Sequence, residues 1–255
     1  GIEYVNVGNE TYLAIMVEEY LLPIKQSGRG SSFKLVQAYF GGGKTHFLLL
    51  VRGQAWSLGY PAAIVGLSPG ECPFDDVVKV YASVAREICW PPSDPHVLPQ
   101  RGIDVLLRSV VDERVERVGR ETVRTWVDGQ LRRAPVDSYS YRAAVVSFIL
   151  AYLDGRFEEE ETLAAFLRGE DVHASELRPH RIREGLAKHT AKRFLRSLVQ
   201  VLHHLGAPGL LLCFDEMDRS MSFTQRRRRA IADNLRELID DCGKGVMPGL
   251  VCMYA

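Results

Sequence analysis

The chain has 255 residues, 46% of them hydrophobic, which suits one α/β domain carrying an insertion and a substantial core. Lys plus Arg and Asp plus Glu both number 32, so the formal net charge is zero and bulk charge gives no sign of a nucleic-acid partner. No apolar run reaches the roughly 18 to 20 residues that a membrane helix needs, and no signal peptide is visible.

The chain begins at Gly1 without a Met, so a trimmed product of a longer protein is expected. Apolar positions Tyr12, Leu13, Ile15, Met16, Tyr20 and Leu21 predict an amphipathic helix over 10–23, ended by Pro23. Ser27-Gly28-Arg29-Gly30-Ser31-Ser32 reads as a flexible connector. A short apolar run over 33–40 predicts a strand, broken by Gly41-Gly42-Gly43. A helix is expected over 44–58, stopped by Gly59-Tyr60-Pro61, and then a second buried strand over 62–67. Together these make a βαβ unit.

From 74 to 205 the periodicity is almost entirely helical, with segments over 74–89, 103–118, 121–131, 141–153, 159–167 and 181–205. Pro91, Pro92 and Pro95 mark a loop. Glu158, Glu159, Glu160 and Glu161 stand at a helix start, where negative charge suits the dipole, and read as a solvated cap. Segment 181–205 carries Ile182, Leu186, Phe194, Leu198, Val199, Leu202 and Leu205 on one face. Strand character returns over 209–214, followed by a helix over 224–242 and an apolar strand over 249–254. This predicts three parts: an N-terminal helix with the βαβ unit (1–73), a helical insertion (74–205) and a closing segment of the core (206–255). The five cysteines are scattered and form no CxxC pair, which argues against a disulfide framework or zinc site and for a reducing compartment. Cys213 and Cys252 lie in apolar runs and are expected in the core.

The chemistry concentrates in two places. Ala38-Tyr39-Phe40-Gly41-Gly42-Gly43-Lys44-Thr45 follows a strand and opens a helix. This is a phosphate-binding loop with Ala where the first Gly usually stands. Glycines let the backbone curl so that its N–H groups, with the positive end of the next helix, face phosphate oxygens. Lys44 is expected on the β/γ oxygens, and the Thr45 hydroxyl on Mg²⁺. His46 follows the loop and is expected beneath it rather than in the chemistry. The second place is Leu210-Leu211-Leu212-Cys213-Phe214-Asp215-Glu216, an apolar run ending in two acids. A buried central strand would deliver Asp215 to the carboxyl edge of the sheet, where open α/β sheets bind ligands. Asp215 would hold Mg²⁺ through water, and Glu216 would orient and deprotonate the attacking water.

The order strand, phosphate loop, helix, strand, helical stretch, Asp-Glu strand, helix, strand resembles the P-loop ATPase class that includes the AAA+ proteins. That class implies a parallel sheet with an extra strand between the phosphate-loop strand and the Asp-Glu strand, the latter lying between or near the first and second strands. It also implies a polar sensor residue beyond the strand over 249–254, which points to a longer parent protein. The wording around the motifs is more specific. Phe40 to Leu48, Gly66-Leu67-Ser68-Pro69, Leu205-Gly206 before Gly209-Leu210-Leu211-Leu212, Asp215-Glu216, Asn234 to Asp240 and Pro248-Gly249-Leu250 are similar to the ATP-binding proteins of bacterial BREX-type phage-defence systems, the BrxD-like group. The similarity is concentrated in the core and is loose through the helical stretch. It implies a cytoplasmic ATPase that binds ATP and Mg²⁺ and works with other defence proteins or with copies of itself.

Val7-Gly8 resembles the turn whose backbone contacts adenine in AAA+ relatives, with an ordinary loop as the alternative. Arg226, Arg227, Arg228 and Arg229 open the helix after the acid pair, where they oppose its dipole. A solvated face, contact with DNA phosphates, or an arginine finger reaching a neighbour's γ-phosphate are the three readings. Arg219 is a second finger candidate. The functional expectation is an ATPase coupling hydrolysis to assembly or conformational change. A nucleotide switch with little turnover and a DNA-loading or translocating motor are the alternatives.

Overall fold

The computed structural model describes residues 8–39, 41–93, 97, 99–215 and 224–255. Four strands, β1 (Ser32–Leu35), β2 (Ala62–Gly66), β3 (Leu210–Asp215) and β4 (Leu250–Tyr254), pair in parallel in the order β1-β4-β3-β2. The strand that follows the Asp-Glu strand therefore lies between β1 and β3, as the ATPase-class pattern implies. β1 is shorter than the predicted strand, although Val36 N–H still donates to Tyr254 O at 2.8 Å.

Side chains of β3 and β4 alternate between two apolar layers, the pattern of a parallel sheet covered on both faces. Leu211, Cys213, Val251 and Met253 meet the N-terminal helices and α3 (Lys44–Ser57) through Leu13, Leu21, Ile24, Leu48 and Val51. Leu210, Leu212, Phe214, Leu250, Cys252 and Tyr254 face the helices between β2 and β3. Those are α4 (Val77–Glu87), α5 (Ile103–Val118), α6 (Arg120–Gly129), α7 (Tyr139–Asp154), α8 (Phe157–Arg168), α9 (Ala174–Leu177) and α10 (Ala191–His204). Phe74 joins this layer to the sheet by edge-on contacts with Phe214 at 4.9 Å and Tyr254 at 5.2 Å. Deeper in, Phe194 meets Tyr81 and Tyr141 edge-on at 5.8 and 5.5 Å. α11 (Gln225–Lys244) is capped by Thr224, whose hydroxyl accepts from Arg227 N–H.

Two predicted boundaries change. The first helix does not end at Pro23. It continues through α1 (Glu10–Ile15), a π-helical stretch over Met16–Leu21 and α2 (Leu22–Ser27) to Gly28 in the left-handed region. The wider turn before Pro23 accommodates a residue that has no N–H and crowds the preceding turn. The helix predicted over 181–205 starts only at Ala191. Upstream, Arg181 has φ 61°, and buried hydroxyls hold the chain in a loop. Ser140 Oγ accepts from Arg183 and Glu184 N–H at 3.0 and 3.1 Å, and Thr190 Oγ1 accepts from Ala187 N–H at 2.8 Å. Ile182 is buried from within this loop, so its apolar spacing mimicked a helix face.

Candidate functional site

The candidate phosphate loop is shaped by its glycines. Gly41 and Gly43 have φ 76° and 77°, and Gly43 caps α3 without supplying a side-chain acceptor. Gly42 donates its N–H to Tyr39 O at 2.8 Å. A Cβ on Gly42 would lie 2.8 Å from that carbonyl and 2.9 Å from Ala38 Cβ, so the curl admits no side chain there. α3 starts directly from this curl, and the N-terminus of a helix suits an anion. Lys44 is half-buried as the first residue of the helix.

β3 brings the second half of the site. All six of its residues are buried, and Asp215 closes it with 6% exposure. Asp215 stands beside Gly66 of β2, and its carbonyl accepts from Leu67 N–H at 2.8 Å. Thr45 Oγ1 donates to Asp215 Oδ2 at 2.6 Å across 170 residues of sequence. This bond joins the loop to the acidic strand end at the carboxyl edge of the sheet. A hydroxyl and a carboxylate are hard oxygen donors, which fit Mg²⁺ better than a softer metal.

Other predicted site residues fall differently. Gly8 is exposed with φ 85°. His46 stands in the first turn of α3, with Nε2 buried and without a partner among the described residues. Arg227 is engaged within the chain, donating from Nε and Nη2 to the two oxygens of Asp75, both at 3.0 Å. Arg226, Arg228 and Arg229 are exposed. Val7, Phe40, Glu216 and Arg219 lie outside the described residues.

A model of the family described as BREX system ATP-binding protein BrxC/D matches residues 1–255. The chain belongs to that family. The resemblance carried by the loop and strand motifs is thereby confirmed at the level of the BREX family. No curated protein and no solved structure gave a match. Among the described residues of this BREX-family chain, no helix is long and apolar enough to cross a membrane.

Sequence reading missed two features of the surroundings. Asp75, the partner of Arg227, sits beside the helix-capping Asp76 and carries no motif of its own. Tyr39, inside the phosphate-loop pattern, is 94% exposed. An aromatic residue in an apolar run reads as core, and only the course of the loop turns it outward.

Proposed function

We propose that the chain binds ATP with Mg²⁺ at the loop over 38–45 and hydrolyses it. The observation that carries this reading is the Thr45–Asp215 hydrogen bond of 2.6 Å beside the glycine curl. Contact between Thr45, the residue expected on the metal, and Asp215, the acid expected behind it, supports this reading in a chain of an ATP-binding family. Lys44 and the N–H groups of the first turn of α3 hold the β and γ phosphates. Mg²⁺, when bound through Thr45 and Asp215, neutralises phosphate charge. Glu216, next in sequence to Asp215, orients a water and takes its proton as the water oxygen bonds to the γ-phosphorus and the bond to the ADP oxygen breaks.

The way α11 is held supports a reading of the output. Arg227 binds Asp75, and Asn234 Nδ2 donates to Phe74 O at 2.9 Å, so the helix downstream of the acid pair is tied to the start of the helical segment. A change at Glu216 on hydrolysis would reach those helices through α11. This supports hydrolysis coupled to conformational or assembly change among cytoplasmic phage-defence proteins.

ATP binding and phosphate release, measured side by side for the 255-residue chain and for Glu216→Gln, test the proposal. Retained binding with lost release in the variant is the expected result. Tight binding without turnover in either protein would replace hydrolysis by a nucleotide switch.

A further inference from the structure

A second polar pocket lies along α3, away from the phosphate loop. Arg52 follows Lys44 by two helical turns, about 12 Å at the usual rise. Here α3 runs beside the edge strand β2 and encloses a cavity of about 320 Å³ with it. That volume is at the lower end of small-molecule sites. Leu49, Ala62 and Ile64 form an apolar wall, and Arg52, Arg101 and Glu87 supply the charge. Arg101 is already satisfied, with Nη1 donating to Glu87 Oε2 at 2.5 Å.

Arg52 is not satisfied in this way. Among the described residues it makes no hydrogen bond or ion pair, and its Nε is shut off from solvent without a partner. Its guanidinium rests 4.4 Å over the Trp56 ring. Burial lowers its pKa, and the charge of Arg101 adds to that direction while the neighbouring thiols oppose it. A guanidinium carries five donors, and half-buried Arg52 meets no protein acceptor with any of them among the described residues. The pocket therefore holds more positive than negative charge, beside a surface suited to hydrocarbon.

We propose that this pocket binds a small molecule bearing a carboxylate or phosphate on an apolar body, with Arg52 gripping the oxyanion and Leu49, Ala62 and Ile64 covering the body. A planar guanidinium fork matches either group through paired hydrogen bonds. This site is separate from the nucleotide reading and does not rest on it.

The test is calorimetric titration of the full chain with inorganic phosphate and, separately, with benzoate, under saturating ADP. A Lys44→Ala control without ADP removes phosphate bound at the loop. Binding of either probe, weakened about tenfold or more in Arg52→Gln and retained in Lys44→Ala, is the expected result. Phosphate alone would identify a phosphate ester as the ligand class, and benzoate alone a carboxylic acid. Arg52→Lys keeps the charge and stem but loses the fork, and the same loss is expected in it should Arg52→Gln fail to fold. Absence of binding by both probes, or equal binding by wild type and the folded Arg52 variant, would overturn the site and leave Arg52 as a packing partner of Trp56.

Discussion

At the residue scale, the candidate site depends on a few atoms whose replacement gives separable outcomes. Asp215→Asn keeps the shape and a hydrogen-bond partner for Thr45 but removes the charge expected behind the metal. Mg²⁺-dependent ATP binding should weaken by about 10-fold to 100-fold, read by titration with and without chelator. Gly42→Ala tests the loop itself, because its Cβ would press on the Tyr39 carbonyl at 2.8 Å. We expect a loss of nucleotide affinity, and a stability change of about 1–3 kcal/mol in urea melts if the curl persists under strain. Unchanged nucleotide affinity would show that the curl is not the phosphate site. His203 makes a pH prediction. Burial, then the charge of His204, lowers its pKa below 6.5. The folded chain thus binds this proton less readily than the unfolded chain. Its contribution to stability is complete above the unfolded value and is lost as pH falls through the folded one. His203→Gln should reduce the difference in urea midpoint between about pH 7.5 and about pH 5.5, and an unaltered difference would rule His203 out as the source.

At the element scale, α10 and α11 are joined by a buried ionic contact. Arg196 donates from Nε to Asp241 Oδ2 at 2.7 Å and from Nη2 to Oδ1 at 2.8 Å, and Asp241 is 5% exposed. Removing the arginine strands a carboxylate in the core, so Arg196→Met should destabilise by about 2–4 kcal/mol. Arg196→Met with Asp241→Leu should recover much of that loss, because an apolar pair needs no counter-charge. A double variant as unstable as the sum of its singles would locate the effect in packing instead. The same scale shows how much of the site was legible. The glycine curl, Lys44 at a helix start and Asp215 at a strand end could be read in sequence because each is a local consequence of residue type. The Arg227–Asp75 pair was not legible, since its partners are 152 residues apart and Asp75 sits in no motif that points to the arginine cluster. The loop before α10 was misread for a related reason. Amphipathic spacing reports which side chains are buried, and Ile182 is buried from a loop, not a helix.

At the scale of the whole molecule, helices α4 to α10 and one face of the sheet share one apolar core. Phe74, Phe214 and Tyr254 run through its boundary. Unfolding should therefore be a single transition, with tryptophan fluorescence and helical circular dichroism giving the same urea midpoint. Two resolved transitions would mean that the helical segment folds apart from the sheet. The close approach of β3 and β4 at their start is equally global. A Cβ on Gly209 would overlap the Gly249 carbonyl, so Gly209→Ala should disrupt pairing of the two central strands.

Sequence alone determined the α/β class, the glycine curl before a helix, Asp215 at a strand end, the helical character of the middle stretch and the BREX family resemblance. These follow from periodicity, turn chemistry and motif wording, which act over a few residues at a time. Tertiary structure alone decided that Thr45 meets Asp215, that Arg227 is held by Asp75 and that Arg52 lines a pocket whose one carboxylate, Glu87, is bonded to Arg101. Such contacts arise when parallel strand order and helix packing bring distant segments together, and nothing in the local chemistry of either partner names the other.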